Sequence, residues 1–144
     1  MKVLVVFDSH FGTTEKIAKA MGEAVGGEVV RVDDAKASAA QGLDLLLVGG
    51  PTEGSRPRPV LQDFLKQLPA LNGLKVAAFD TRVTWPFLKL IGFAAPKIAD
   101  ALKAKGGTLV APPEGFYIAG RKMPPDLKGG ELERAAAWAK GIAK

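Results

Sequence analysis

A run of small and hydroxylated residues between positions 8 and 15 could bind a phosphate group. The run follows an apolar segment, Val3 to Phe7, and leads into helical periodicity that begins at Glu15. A helix N-terminus offers unpaired backbone N–H groups and the positive end of the helix dipole, and both favour an anion. The same residues could simply cap the helix, because Ser and Thr are common N-caps. The run consists of Asp8, Ser9, His10, Phe11, Gly12, Thr13, Thr14 and Glu15.

Two further loops contain residues that could contact a flat ligand. Positions 49–59 read Gly-Gly-Pro-Thr-Glu-Gly-Ser-Arg-Pro-Arg-Pro, which is elaborate for a strand–helix connection. They could line a ligand site or form a surface loop made rigid by proline. Positions 80–87 include Trp85 and Phe87, which could stack on a ring or cover the sheet edge. Besides Phe87, the residues of these two loops include Pro51, Thr52, Glu53, Gly54, Ser55, Arg56, Asp80, Thr81, Arg82 and Trp85.

Apolar runs and helical spacing predict the elements that carry these loops. Buried strands are predicted over 3–7, 28–32, 43–48, 74–79 and 108–111, the last continuing irregularly to Ile118. Helices are predicted over 15–25, 59–68 and 94–105 and from Glu131 onward. Gly49-Gly50-Pro51 is expected to end the third strand, and the fourth is expected to end at Asp80.

Alternation of fully apolar strands with helices predicts an α/β fold. The expected architecture has three layers, with a doubly wound parallel sheet of five strands covered by helices on both faces. Ligands of such sheets bind beyond the carboxyl ends of the strands. The loops after the first, third and fourth strands should therefore meet at one edge of the sheet.

Composition excludes several classes of chemistry. The 144 residues suit a single domain over 1–144, and the absence of Cys excludes disulfides, thiol nucleophiles and iron–sulfur clusters. One His disfavours a histidine metal site. No Ser has the Gly-x-Ser-x-Gly pattern that a hydrolase using His10 as base would show, and a phospho-receiver would need an Asp where Gly49 stands. No apolar stretch approaches the roughly 20 residues of a membrane span, so we expect a cytoplasmic protein.

The positive charge is concentrated in one part of the chain. The net charge is +5, and seven Lys or Arg residues but three Asp or Glu residues lie between Pro51 and Ile98. No tract of consecutive basic residues with interleaved aromatics occurs, so we expect no nucleic-acid partner. Arg56, Arg58 and Arg82 flank the predicted site and could attract an anionic substrate or an acidic partner. Solvated helix faces are the simpler interpretation of Lys66, Lys75 and Lys97.

The order of these loops and elements resembles that of the short-chain flavodoxins. Residues 9–14 resemble the phosphate loop of that family, residues 94–106 its fourth helix and residues 130–139 its final helix. The resemblance spans the chain and implies a flavodoxin-like fold with sheet order 2-1-3-4-5. It also implies FMN at the switch point between strands one and three, since flavodoxin is the type example of that order.

The resemblance assigns a role to each loop. Residues 9–14 would wrap the FMN phosphate, residues 51–56 would form the first wall of the isoalloxazine ring, and residues 80–87 the second. The chain departs from the family in three respects. Phe11 stands where a hydroxyl is usual, the 51–56 loop has no aromatic residue, and the chain is basic where electron-carrying flavodoxins are typically acidic.

Three functions remain open at this point. The protein could carry electrons on FMN, and the Glu53–Gly54 peptide could then turn its carbonyl toward N5 of the reduced flavin, because Gly tolerates both signs of φ. It could be an FMN-dependent NAD(P)H or quinone reductase, because the apolar residues of 83–93 could admit a flat acceptor. It could also be a flavodoxin-like fold that has lost tight FMN binding. The expected partners are a redox protein or a small anionic or quinone acceptor, and the oligomeric state stays open.

Overall fold

A mostly parallel sheet lies between two layers of helices in the computed structural model, which describes residues 1–83, 92–119 and 125–144. The strands are β1 (Val3–Phe7), β2 (Glu28–Arg31), β3 (Leu45–Pro51), β4 (Lys75–Val83), β5 (Thr108–Leu109), β6 (Glu114–Ala119) and β7 (Asp126–Leu127). The helices are α1 (Thr13–Val25), α2 (Pro59–Gln67), α3 (Ala94–Ala104) and α4 (Glu131–Ile142). Two 3₁₀ turns, Val32–Asp34 and Ala37–Ala40, connect β2 to β3.

The strand order is β2-β1-β3-β4-β6-β7, with β5 also paired to β4. All of these pairings are parallel except that of β6 with the short β7. The predicted flavodoxin-like order 2-1-3-4-5 is confirmed, but the fifth position is shared by β5 and β6. Pro112 and Pro113 lie between these two strands, and because proline has no N–H to donate, the ladder is interrupted there.

Each face of the sheet has its own apolar core. On one face, Ile17 and Met21 of α1 and Ala135 and Ala139 of α4 pack on β1, β3 and β4. On the other face, α2 and α3 contribute Leu61, Leu65, Ile98 and Leu102. The predicted three-layer arrangement is therefore present, and α2 and α3 lie side by side on the face opposite α1 and α4.

Two predicted strand ends are wrong. The third strand does not end at Gly49 but continues through Gly50 to Pro51, with Gly49 paired opposite Phe79. A Cβ at Gly49 would lie 2.2 Å from the Phe79 ring, so this glycine serves a close approach between strands and not a turn.

The fourth strand likewise continues past Asp80 to Val83. Asp80 and Thr81 are fully buried in it. The Asp80 carboxylate pairs with Arg82 of the same strand, and the Thr81 hydroxyl pairs with that of Thr14 in α1. Residues 81–83 are therefore strand and not part of the loop predicted over 80–87.

Candidate functional site

The carboxyl ends of β1, β3 and β4 lie at one edge of the sheet, where residues from the predicted loops contact each other. Nδ1 of His10 lies 2.7 Å from Oε2 of Glu53, which joins the loop after β1 to the loop after β3. The hydroxyls of Thr14 and Thr81 are 2.8 Å apart, and the Thr52 N–H donates to the Thr81 carbonyl at 3.0 Å. The expected convergence at one edge is thus observed for the loops after β1 and β3 and for Thr81 near the end of β4, whereas residues 84–87 of the third predicted loop lie outside the described residues.

The N-terminus of α1 presents backbone donors toward this edge. Gly12 precedes the helix with φ of 97°, and its N–H donates to Oγ of Ser9 at 3.0 Å. Among the described residues, no side chain accepts a hydrogen bond from the N–H groups of Thr13, Thr14 or Glu15. These first-turn donors, with two buried threonine hydroxyls beside them, form a site whose chemistry suits a phosphate.

Two arginines hold the backbone beneath this loop. Arg31 and Arg58 both donate to the Ser9 carbonyl, at 3.0 and 3.5 Å. Arg58 also lies 3.1 Å from Oδ1 of the buried Asp8. Burial raises the pKa of Asp8, and the Arg58 charge opposes that rise. Oδ2 of Asp8 has no hydrogen-bond partner in the described part of the chain.

An exposed aromatic pair stands beside the α1 N-terminus. The rings of His10 and Phe11 stack with their centres 4.1 Å apart and their planes 17° from parallel. Phe11 is 45% exposed, so the residue that departs from the family's usual hydroxyl presents a ring to solvent. Nδ1 of His10 lies beside the Glu53 carboxylate, and the side chains of His10 and Glu53 are both partly exposed.

Residues 53–56 form a tight turn at the end of the loop after β3. Glu53 and Arg56 exchange backbone hydrogen bonds of 3.0 and 3.2 Å, and the two residues between them, Gly54 and Ser55, have φ of 60° and 68°. Positive φ at both central positions is the mark of a type I′ turn. The Lys97 ammonium donates to the Ser55 carbonyl. A Cβ at Gly54 would meet no atom within 4 Å, so open space adjoins the turn.

The N-terminus of α3 lies at the same edge, and one side chain from the loop after β3 and one from β4 cap it. Oγ1 of Thr52 accepts from the Ala94 N–H at 3.0 Å. Oδ2 of Asp80 accepts from the Ala95 N–H at 2.8 Å. The α3 donors are therefore already satisfied by a hydroxyl and a carboxylate of the chain itself.

Arg82 forms a two-point ion pair with Asp80, with distances of 2.7 and 2.8 Å. Its guanidinium carbon lies 3.6 Å from the centre of the Phe93 ring. A Cβ at Gly115 would lie 2.2 Å from Nε of Arg82, so the guanidinium passes directly over that glycine. Burial raises the pKa of Asp80, and the hydrogen bonds and charge of Arg82 oppose that rise.

The structure divides the predicted site residues into two groups. The 9–14 and 51–56 segments lie at the carboxyl edge as expected. Asp80 and Thr81 instead lie inside β4, and the side chain of Arg82 is only 15% exposed. Of the three arginines predicted to attract an anion, Arg58 and Arg82 pair with buried carboxylates, and Arg56 is exposed. Trp85 and the other aromatic residue of that loop, Phe87, lie outside the described residues.

Arg31, Phe93 and Gly115 are site residues that sequence reasoning missed. Arg31 is paired with Phe7 in the register of β1 and β2, which places it beside the loop after β1. The adjacency of the first two strands in a doubly wound sheet was a signal that could have identified it. No sequence signal pointed to the packing of Arg82 between Phe93 and Gly115.

Neither a metal site nor a membrane span is found in the described ranges. Residues 1–83, 92–119 and 125–144 contain no group of three or more His, Asp or Glu side chains that could hold a metal ion. None of the described helices is both long enough and apolar enough to cross a bilayer.

Comparison with known proteins gives a consistent result. A family model described as a flavodoxin domain matches residues 4–111. The chain is similar to the structure of a flavodoxin from the domain Archaea, with 23% identity and a TM-score of 0.81 over 99% of this chain and 96% of that one. It is similar to oxidised flavodoxin 1 from Bacillus cereus, with 19% identity and a TM-score of 0.79 over 99% and 97%.

A short-chain flavodoxin associated with a non-canonical PDU bacterial microcompartment is also similar. Its identity is 16% and its TM-score 0.76, over 100% of this chain and 99% of that one. At these identities, the three structures show a common fold. No match was found among curated protein sequences.

Proposed function

Because the chain belongs to the flavodoxin family, whose members bind FMN and transfer electrons, we propose that it holds FMN at the carboxyl edge of its sheet and carries electrons to a partner. The observation that carries the proposal is the N-terminus of α1. Its first-turn N–H groups lack side-chain acceptors among the described residues. Arg58 and Arg82, the arginines at this edge that pair with buried carboxylates, are neutralised by Asp8 and Asp80. An anion with several oxygens fits that donor set.

The phosphate is assigned to the loop after β1. Backbone N–H groups of Thr13 and Thr14, the dipole of α1 and the hydroxyls of Ser9 and Thr13 are the donors that would hold it. Arg31 and Arg58 contribute by fixing the Ser9 carbonyl, which keeps the loop in the conformation that aims its N–H groups at the ligand.

The flavin ring is assigned to the space beside the 53–56 turn. An added Cβ at either Gly12 or Gly54 would meet no atom within 4 Å, so both ends of this edge have room for a ligand. Bound FMN supplies the electron chemistry, and the chain supplies binding and hydrogen bonds. The residues proposed for the first wall are Pro51, Thr52, Glu53, Gly54, Ser55 and Arg56.

Residues 80–82 have a supporting role in this proposal. Asp80 and Arg82 fix the N-terminus of α3, and the Thr81 hydroxyl fixes that of Thr14. In this proposal they position the loops that hold the flavin. The apolar residues on which the quinone-reductase alternative depends lie mostly within 84–91, outside the described residues.

Titration of the flavin-free chain with FMN tests the proposal. We expect saturable quenching of flavin fluorescence at a stoichiometry of one flavin per chain. The FMN-loaded protein alone should not reduce quinones with NAD(P)H, because a carrier needs a separate reductase. Failure to bind FMN would refute the cofactor assignment, and sustained NAD(P)H-dependent turnover by the loaded protein alone would refute the carrier assignment.

A further inference from the structure

A surface groove of about 490 Å³ lies between α2 and α3. Leu65, Ala101 and Ala104 contribute its apolar lining. The groove is on the opposite face of the sheet from α1 and α4, and one of its ends reaches the 53–56 turn through Arg56.

The groove is lined by four cations and, within the described residues, by no carboxylate. The cations are Arg56, Lys66, Lys97 and Lys105. The nearest acidic residues along the two helices, Asp63 and Asp100, are exposed and do not line it, and Asp100 lies 3.8 Å from Lys103. A groove with apolar lining and a uniformly positive rim is complementary to an apolar segment that carries negative charge.

The cations form two pairs at opposite ends of the groove. At one end, the Lys97 ammonium donates to the Ser55 carbonyl beside Arg56. At the other, the Lys105 ammonium donates to the Lys66 carbonyl at 2.8 Å. Each ammonium has three donors, so donors remain for a ligand. Lys97 and Lys105 are eight residues apart along α3, which corresponds to about 12 Å.

We propose that this groove binds an acidic amphipathic helix of the protein with which the chain exchanges electrons. Carboxylates about two helical turns apart would meet the two pairs of cations, and the apolar side chains between them would cover Leu65, Ala101 and Ala104. The identity of the partner as a redox protein depends on the proposed function. The chemistry of the bound segment depends only on the groove.

The position of the groove gives the docking a consequence for electron transfer. Arg56 belongs both to the groove and to the turn proposed as the first wall of the flavin ring. A helix that lies in the groove therefore ends beside the proposed flavin site. A second copy of this chain is a poorer occupant, because it has the same net charge of +5.

Stapled helical peptides are suitable probes for the groove. The test peptide is fluorescein-labelled Glu-Glu-Leu-Ala-Leu-Leu-Ala-Glu-Glu, with acidic residues at both ends and apolar residues between. One control, Glu-Glu-Ser-Ala-Ser-Ser-Ala-Glu-Glu, keeps the charge and removes the leucines. A second control, Leu-Ala-Glu-Glu-Leu-Glu-Glu-Ala-Leu, keeps the composition and moves the charge to the centre. Binding is measured by fluorescence anisotropy with the full chain, FMN-loaded and flavin-free, at low and at physiological salt.

Charge variants test whether the peptide binds in the groove. We expect the test peptide to bind more tightly than either control, and the double variant Lys66→Gln, Lys105→Gln to weaken binding about fivefold or more at low salt. The matched control is the double variant Lys140→Gln, Lys144→Gln, which removes the same charge from exposed positions at the far face and should change affinity less than about twofold. Ala101→Glu, which places a carboxylate in the lining, should abolish binding.

Several results would overturn the proposal. They are the absence of binding by the test peptide, equal binding of all three peptides, and equal weakening by the two double variants. The second and third of these would show general attraction of polyanions to a basic protein. Binding of FMN without binding of the peptide would refute the groove alone. Specific peptide binding by a chain that takes up no FMN would refute the flavin function and leave the groove as a docking surface.

Discussion

The N-termini of α1 and α3 lie at the same edge of the sheet and differ in whether side chains of the protein accept hydrogen bonds from their first N–H groups. At α3, the Ala94 and Ala95 N–H groups donate to Thr52 and to the buried Asp80. At α1, no described side chain accepts from the N–H groups of Thr13, Thr14 or Glu15. Both ends have first-turn backbone donors and the same dipole direction, but α3 has one donor fewer because its third residue is Pro96.

This difference indicates where a bound anion would lie. The carboxylate of Asp80 already occupies the anion position at α3 and is neutralised by Arg82, which is held against Phe93. An external anion therefore has no open donors there. The α1 end has an acidic residue in its first turn, Glu15, but that carboxylate pairs with Lys19 and Arg31. No described side chain accepts from the first-turn N–H groups of α1, so the α3 donors are satisfied within the chain and the α1 donors suit a ligand.

Substitution of Asp80 should have the largest effect, because this carboxylate both pairs with Arg82 and caps the N-terminus of α3. Asp80→Asn leaves the Arg82 guanidinium, which is 15% exposed, without its counter-charge. We expect the free energy of unfolding at pH 7 to fall by about 3 kcal/mol. Urea unfolding measures it, with Asp100→Asn as the control. Asp100 is an exposed partner of Lys103, so its loss should cost less than about 0.5 kcal/mol. Equal losses in the two variants would contradict the account.

A carboxylate at the first residue of α1 should make this end resemble that of α3. Thr13→Asp places an anion in the first turn of α1, where it would compete with and repel a phosphate. We expect FMN affinity to fall about a hundredfold or more, which corresponds to about 2.7 kcal/mol. Thr13→Asn, similar in shape and uncharged, should lose less than about tenfold. Fluorescence titration distinguishes them, and similar losses in the two variants would show that charge at α1 is unimportant.

The first residue of α4 provides a third N-terminus for the comparison. Glu131 receives hydrogen bonds from Arg134 and from the Tyr117 N–H, and these hold the pKa of its carboxyl below the ordinary value of 4.5. A lowered pKa stabilises the fold above the unfolded-state pKa, and that stability is lost as pH falls through the folded-state pKa. We expect Glu131→Gln to cost about 1 to 2 kcal/mol at pH 7.

The pH profile provides the check for Glu131. The difference between wild type and Glu131→Gln in the free energy of unfolding should shrink as pH falls below 4.5. The exposed neighbour Glu133 serves as control, and its replacement by Gln should give a smaller and flatter difference. A difference that stays constant down to acid pH would mean that Glu131 acts by packing and not by charge.

The smallest expected effect is that of replacing Gly54 in the 53–56 turn. Gly54 has φ of 60°, and an added Cβ would meet no atom, so Gly54→Ala adds backbone strain without a clash. We expect a loss of about 1 kcal/mol in the free energy of unfolding. In the FMN-loaded variant, the two one-electron reduction potentials should move closer together, because the Glu53–Gly54 peptide turns less easily. An unchanged redox titration would refute this role for Gly54.

Local sequence predicted much of the fold. The bounds of β1 match the prediction, because every residue of that strand is buried and apolar. The ends of β3 and β4 could not be predicted in the same way. Glycine usually marks a turn, and only the position of the Phe79 ring explains Gly49 within a strand. Asp80 resembles a loop residue until Arg82 and the α3 N-terminus are known to satisfy it.

The candidate site was predictable only in its local part. The segment 9–14 could be identified from local sequence, because Ser9 and Gly12 directly precede α1 and the hydroxyl residues Thr13 and Thr14 begin it. The contrast between α1 and α3 depends on partners distant in sequence. Thr52 lies 42 residues before Ala94, and Glu53 lies 43 residues after His10. No periodicity or spacing encodes such contacts, because they follow from the packing of the strands.

Comparison of FMN with riboflavin tests the central claim most directly. Riboflavin has the same ring and lacks the phosphate, so its affinity reports the ring site without the α1 N-terminus. We predict that the flavin-free chain binds FMN about a hundredfold more tightly than riboflavin, and that Thr13→Asp abolishes most of this preference. Equal affinities for the two flavins in the wild-type chain would contradict the assignment of the phosphate to α1.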